Sequence, residues 1–135
     1  MIPSIEKSSD TTLLTFDEIY FLCDVFVSLG IEKIRLTGGE PMVRKGLDQL
    51  VAELSSLKRY GLQELAMITN GSNFASKADS LRSSGLNRVT FSLDSLKPGT
   101  FRSITGSDKL SGVLDSIEAA RSAGYSDIKG NAVIV

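Results

Sequence analysis

Four times along this chain an amphipathic helical pattern closes on a glycine and an apolar residue, and a short apolar run then follows. The closures are Gly30-Ile31, Gly61-Leu62, Gly85-Leu86 and Gly124-Tyr125. The runs are Lys33 to Thr37, Leu65 to Thr69, Arg88 to Leu93 and about Ile128 to Val135. A glycine just past a helix takes the left-handed conformation that ends it, and the apolar residue beyond packs back onto the last turn. Helix and strand alternating at intervals of about 25 to 40 residues predict an α/β fold with parallel strands and right-handed crossovers.

The individual helices are legible from caps and periodicity. Thr15 and Glu18 form a capping box, with Leu14 and Ile19 as the matching hydrophobic staple, and apolar positions 16, 19, 22, 23, 26 and 27 follow. Leu47, Leu50, Val51, Leu54 and Leu57 mark a second helix. A third is expected over about Ala75 to Ser84, and Leu110, Val113, Leu114, Ile117 and Ala120 mark a fourth. Residues 1–12 lack periodicity and read as a flexible segment, leaving 13–135 as one domain.

What the chain lacks narrows its chemistry. It has no histidine and a single cysteine among 135 residues, so histidine general bases, intramolecular disulfides and ordinary zinc sites are excluded. Cys23 falls among Phe16, Ile19, Phe26 and Val27 at helical spacing and reads as a buried core thiol. Fifteen basic residues against sixteen acidic ones give a net charge of −1, which offers nucleic acid or an anionic membrane no global field. No run reaches the length of a membrane span, and the N-terminus lacks the order of a signal peptide, so a cytoplasmic location is the expectation.

The polar turns all follow strands: Gly38-Gly39-Glu40, Thr69-Asn70-Gly71 and Asp94-Ser95. In parallel α/β folds ligands bind at the carboxyl ends of the strands, where these turns converge. Two adjacent glycines leave bare backbone against which a ligand can lie. Glu40 sets a negative charge beside them, suited to a ligand ammonium, and Pro41 fixes the exit of the chain. For a lone pair of glycines, a tight turn with no ligand is the commoner case. Asn70 and Gly71 read as turn-shaping residues, Arg44 and Lys45 as either phosphate-steering groups or a solvated helix start, and Asp94 as a group that holds the loop after it.

TGGEP after the first strand, ITNG after the second, FSLDSLKPGTFRSITG after the third and IKGNAVIV at the end resemble the MoaA family of radical SAM enzymes, the GTP 3′,8-cyclases of molybdenum cofactor biosynthesis. The likeness runs from about Leu13 to Val135, and SLDSL followed by F-x-x-ITG is what narrows it within the radical SAM superfamily. It implies a partial TIM-like (β/α) barrel of parallel strands alternating with helices. It also implies that Gly38, Gly39 and Glu40 hold the amino-acid end of S-adenosylmethionine (SAM), that Ser92 contacts SAM, and that Arg35, Thr69 and Lys129 contact GTP. A guanidinium, an ammonium and a hydroxyl suit phosphate or purine acceptors. No residue is assigned catalytic proton transfer and none is assigned to a metal.

The family's chemistry uses a [4Fe-4S] cluster held by a CxxxCxxC loop, and this chain has no such triplet. The resemblance therefore implies an interior portion of such an enzyme, beginning just past that loop and lacking the later barrel strands, and inactive alone. GTP and SAM are the expected small-molecule partners, with neither nucleic acid nor membrane, and the edge of the first strand is expected to invite a homo-oligomer. Three other readings stay open: a degenerate SAM- or nucleotide-binding module, another radical SAM maturase, and a purely structural fragment.

Overall fold

A computed structural model describes residues 13–93 and 110–132. The elements are α1 (Phe16–Ser28), β1 (Lys33–Leu36), α2 (Leu47–Ser55), β2 (Glu64–Thr69), α3 (Ala78–Ser84), β3 (Arg88–Ser92), α4 (Leu110–Ser122) and β4 (Lys129–Asn131). Short 3-10 turns at Pro41–Val43, Ser56–Tyr60 and Ala75–Lys77 complete the connections. All four strands are parallel and lie in chain order, β1-β2-β3-β4. Sequential parallel order is the arrangement of a (β/α) barrel wall, as the alternation of elements predicts.

The local signals act as read. Thr15 Oγ1 accepts from the Glu18 amide at 3.1 Å and Glu18 Oε2 accepts from the Thr15 amide at 3.0 Å, closing the capping box. At the other end, the Gly30 amide donates to Val27 and the Ile31 amide to Phe26, a Schellman motif with Gly30 at φ +97°. The same pair of bonds recurs at Gly61-Leu62, Gly85-Leu86 and Gly124-Tyr125. Leu62, Leu86 and Tyr125 are thereby delivered into the core.

The helix spacing expected over Ala75 to Ser84 resolves into a 3-10 turn followed by α3, and α2 likewise runs into 3-10 geometry before Gly61. Pro41–Val43, unforeseen as an element, is a single turn with proline in its first position, where the missing N–H costs nothing. The expected first segment, residues 1–12, the loop assigned to Asp94, and positions 133–135 of the last run lie outside the described residues.

Strand parity sorts the core from the opposite face. Leu65, Met67, Val89 and Phe91 are buried toward the helices with Leu50, Val51, Leu54, Phe74, Leu81 and Ala120. Cys23 and Val27 carry α1 into this cluster, and burial pushes the Cys23 thiol above its ordinary pKa. The thiol is a core group, as its helical spacing predicts. The outer side of α1 stays apolar and exposed at Phe21, Leu22, Val25 and Leu29. Among the described residues no strand covers the outer edge of β1 or of β4.

Candidate functional site

The carboxyl end of β1 runs into Thr37-Gly38-Gly39-Glu40. Gly38 sits at φ +127°, a conformation costly for any residue with a Cβ, and neither Gly38 nor Gly39 would place a Cβ within 4 Å of a described atom. Among the described residues the two peptides are therefore bare on that side. Beside them is a cleft of about 770 Å³ whose walls include Leu14, Ile19, Leu36, Gly39, Glu40 and Arg44. The cleft lies on the helix-facing side of β1, with Ile19, Leu36 and Leu50, and so across the strand from Arg35.

Glu40 is more engaged than its sequence position suggests. Its Oε1 accepts from the Met42 amide at 3.1 Å and from the Thr69 hydroxyl at 2.7 Å, while Oε2 accepts from the Asn70 amide at 2.6 Å. Thr69 Oγ1 in turn accepts from the Gly71 amide at 3.1 Å. Asn70 Oδ1 accepts from both the amide and the hydroxyl of Ser72, an Asx turn that shapes the loop. The turns after β1 and β2 are thus one hydrogen-bonded unit.

The register places the remaining candidates. Arg35 pairs with Ala66 and Ala66 with Arg88, so these three share the face opposite the helices. Ile68, Thr90 and Lys129 form the next layer on that face, and Ser92 with Asn131 the layer beyond, toward the carboxyl ends. Arg35, Lys129 and Ser92 therefore face one space, the interior side of a barrel wall. Thr69 does not join them. It pairs with Phe91 on the helix-facing side and is only 1% exposed.

Two cations on these elements are committed to structure. Arg88 pairs with Glu64 at 2.9 Å and approaches Asp127 at 3.6 Å, a cluster near the amino ends of the strands. The Arg44 guanidinium donates to the Leu14 carbonyl at 2.6 Å and stacks 5.0 Å above the Phe16 ring, tying the turn after Pro41 to the start of α1. Among the described residues Arg35 and Lys129 have no ion pair.

One residue escaped the sequence reading. Ser116 of α4 is 0% exposed, donates to the Gly71 carbonyl at 2.5 Å and accepts from the Ala75 amide at 3.0 Å. The available signal was a hydroxyl at the spacing of Val113 and Ala120, inside an apolar stripe. A group bound through cysteine thiolates finds no fit, since the only thiol is buried Cys23. Among the described residues no three His, Cys, Asp or Glu side chains cluster as a metal site. No helix of the described residues is long and apolar enough to cross a membrane.

Comparison with known proteins gives the following. The radical SAM superfamily model matches residues 1–135. GTP 3′,8-cyclase of Marinobacter nauticus is 52% identical over 123 residues, covering 91% of this chain and 36% of that protein. GTP 3′,8-cyclase 2 of Pseudomonas aeruginosa is 46% identical, covering 90% of this chain and 36% of its own length. The chain thus spans about a third of the curated relatives it matches. Coproporphyrinogen III oxidase from Escherichia coli, described as a radical SAM enzyme, superposes with a TM-score of 0.60 at 15% identity, over 85% of this chain and 29% of that one. At that identity the likeness speaks for the fold alone.

Proposed function

Because the chain belongs to the radical SAM superfamily, we propose that it carries the SAM-side and nucleotide-side contacts of a GTP 3′,8-cyclase of molybdenum cofactor biosynthesis. The carrying observation is the bare Gly38-Gly39 rim, set at the carboxyl end of the wall on whose interior side Arg35, Ser92 and Lys129 share one face. Bound at that rim, SAM would supply the radical-generating chemistry of the superfamily, given an electron from a cluster that this chain's single buried thiol does not hold. Gly38 and Gly39 offer main-chain groups to its amino-acid end, and Glu40 keeps one lone-pair site of Oε2 for the ammonium. Ser92 adds a hydroxyl from the same wall. Arg35 and Lys129, three strands apart, hold separate acceptors of an extended anionic nucleotide. Thr69, expected to contact GTP, instead acts through the loop it fixes beside the SAM rim, its hydroxyl being bonded to Glu40 and Gly71.

Titration of the protein with SAM, followed by amide NMR, is expected to move Gly38, Gly39 and Ser92. Gly39→Val should weaken SAM at least about ten-fold while leaving stability within about 1 kcal/mol, since the added side chain meets no described atom. Arg35→Ala and Lys129→Ala should each weaken GTP by roughly ten-fold, the scale of one charge-assisted bond. No amide movement at millimolar SAM would overturn the reading.

A second reading, a SAM- or nucleotide-binding module without radical chemistry, is favoured by one observation: the single cysteine is buried in the core. Nucleotide binding without GTP turnover in the full-length gene product, reconstituted anaerobically with iron and sulfide, would select it.

Self-association belongs to the same proposal. Among the described residues nothing covers the outer edge of β1 or the exposed apolar side of α1, and a second copy would pack there. Sedimentation velocity is expected to show mass rising with concentration, and a monomer throughout would remove this part.

A further inference from the structure

We propose that Glu40 and Ser116 are positioning residues that clamp the turn after β2 from two sides and hold its backbone in register with the Gly38-Gly39 rim. This rests on the reading of that rim as the SAM site.

The turn Asn70 to Ala75 follows the last paired residue of β2 and has no strand partner of its own, so side chains set its course. Glu40 reaches it from the β1 side with two bonds, to the Thr69 hydroxyl and the Asn70 amide, and Ser116 reaches it from α4 across 45 residues of chain. Three donors fill three of the roughly four acceptor sites of the Glu40 carboxylate, so its chief partners are protein groups rather than a ligand. Thr69 and Ser116 are at most 1% exposed, which limits water as a competitor for the bonds of their hydroxyls, while the Glu40 bond to the Asn70 amide lies at the exposed rim. Beneath the clamp Gly71 sits at φ +78°, where an added Cβ would lie 3.1 Å from both Phe91 and Val113. The turn is seated on the core by a residue that only glycine fits and is fastened from above by Glu40.

The chemistry of the clamp is specific to a carboxylate. In Glu40→Gln, whichever way the amide is turned, an NH2 group faces the N–H of Asn70 or of Met42, and a main-chain donor is left unpaired. In Thr69→Val the shape is kept while the Gly71 amide loses its acceptor. Thr69→Ser keeps the hydroxyl.

The test is amide NMR on the 135-residue protein, first ligand-free and then titrated with SAM. The short charge-assisted bond should put the Asn70 amide proton far downfield in the wild type, and Glu40→Gln should move it upfield. Ser116→Ala should move the amides of Ser72, which shares its peptide group with the Gly71 carbonyl, and of Ala75, and leave Asn70 in place. Glu40→Gln and Thr69→Val should weaken SAM by roughly ten-fold each, less than multiplicatively when combined, and Thr69→Ser should bind within about two-fold of wild type. An Asn70 amide unmoved in Glu40→Gln, or Thr69→Val binding SAM like the wild type, overturns the proposal. A wild type that ignores SAM overturns the reading of the rim, while the ligand-free Asn70 amide still decides whether the clamp exists.

Discussion

Gly85→Ala is expected to destabilise the protein by about 2–5 kcal/mol, lowering the melting temperature by roughly 10 °C or more. Gly85 ends α3 at φ +113°, so any Cβ incurs left-handed strain of about 1–2 kcal/mol. The larger part comes from the neighbouring helix. An added methyl would collide with Ser55 Oγ and lie 2.6 Å from Ser55 Cβ at the end of α2. Lys58 closes the same contact by donating to the Gly85 carbonyl at 2.6 Å, and its pKa is lowered by burial and then by the Arg82 charge. Gly30→Ala is the control, because Gly30 has φ +97° and nothing within 4 Å of its would-be Cβ. Thermal melts should show the strain alone there. Equal losses at the two glycines would mean that the approach of α2 to α3 does not set the cost.

Phe74→Ala is expected to cost about 3–5 kcal/mol, a large fraction of the stability of a domain this size. Phe74 is 0% exposed and meets Phe91 edge-on, with centroids 5.3 Å apart at 87°, and Tyr125 at 5.9 Å. Edge-to-face pairs add about 0.5–1.5 kcal/mol beyond area burial. The position matters to the site as well as to the core. Phe74 lies within the clamped turn, three residues after Gly71, and Phe91 underlies Gly71 itself, so one aromatic cluster supports both. Urea unfolding should show the midpoint falling with an unchanged slope, while Phe21→Ala, at a residue 69% exposed, should stay within about 0.5 kcal/mol. A loss below about 1.5 kcal/mol at Phe74 would show that the cavity collapses and that the turn does not depend on this anchor.

Parts of the site were legible because they obey short-range rules. Arg35 lies between Ile34 and Leu36, which face the core, so its own side is the opposite one. The bareness of Gly38-Gly39 follows from composition alone. Thr69 was harder. Strand β2 reads Glu-Leu-Ala-Met-Ile-Thr, and a strand covered on both sides carries a nearly continuous apolar run that hides which residues face inward. Register settles it, since Thr69 sits beside Phe91 with the helix-facing side chains and away from Arg35 and Lys129. Arg44 resembled a phosphate-steering cation, but its partner is the Leu14 carbonyl 30 residues earlier.

The sequence by itself determined the elements and their order: the capping box at Thr15, the four glycine closures, the alternation of helix and parallel strand, and the bare glycine turn that ends β1. Those features depend on groups within about five residues of one another, and their partners are written in the adjacent sequence. Tertiary structure alone decided what Glu40 holds, which way Thr69 faces and why a serine stands in the apolar stripe of α4. Each of these depends on hydrogen bonds between residues 29 to 45 positions apart, which exist only once the parallel register of β1 with β2 and the packing of α4 have been fixed.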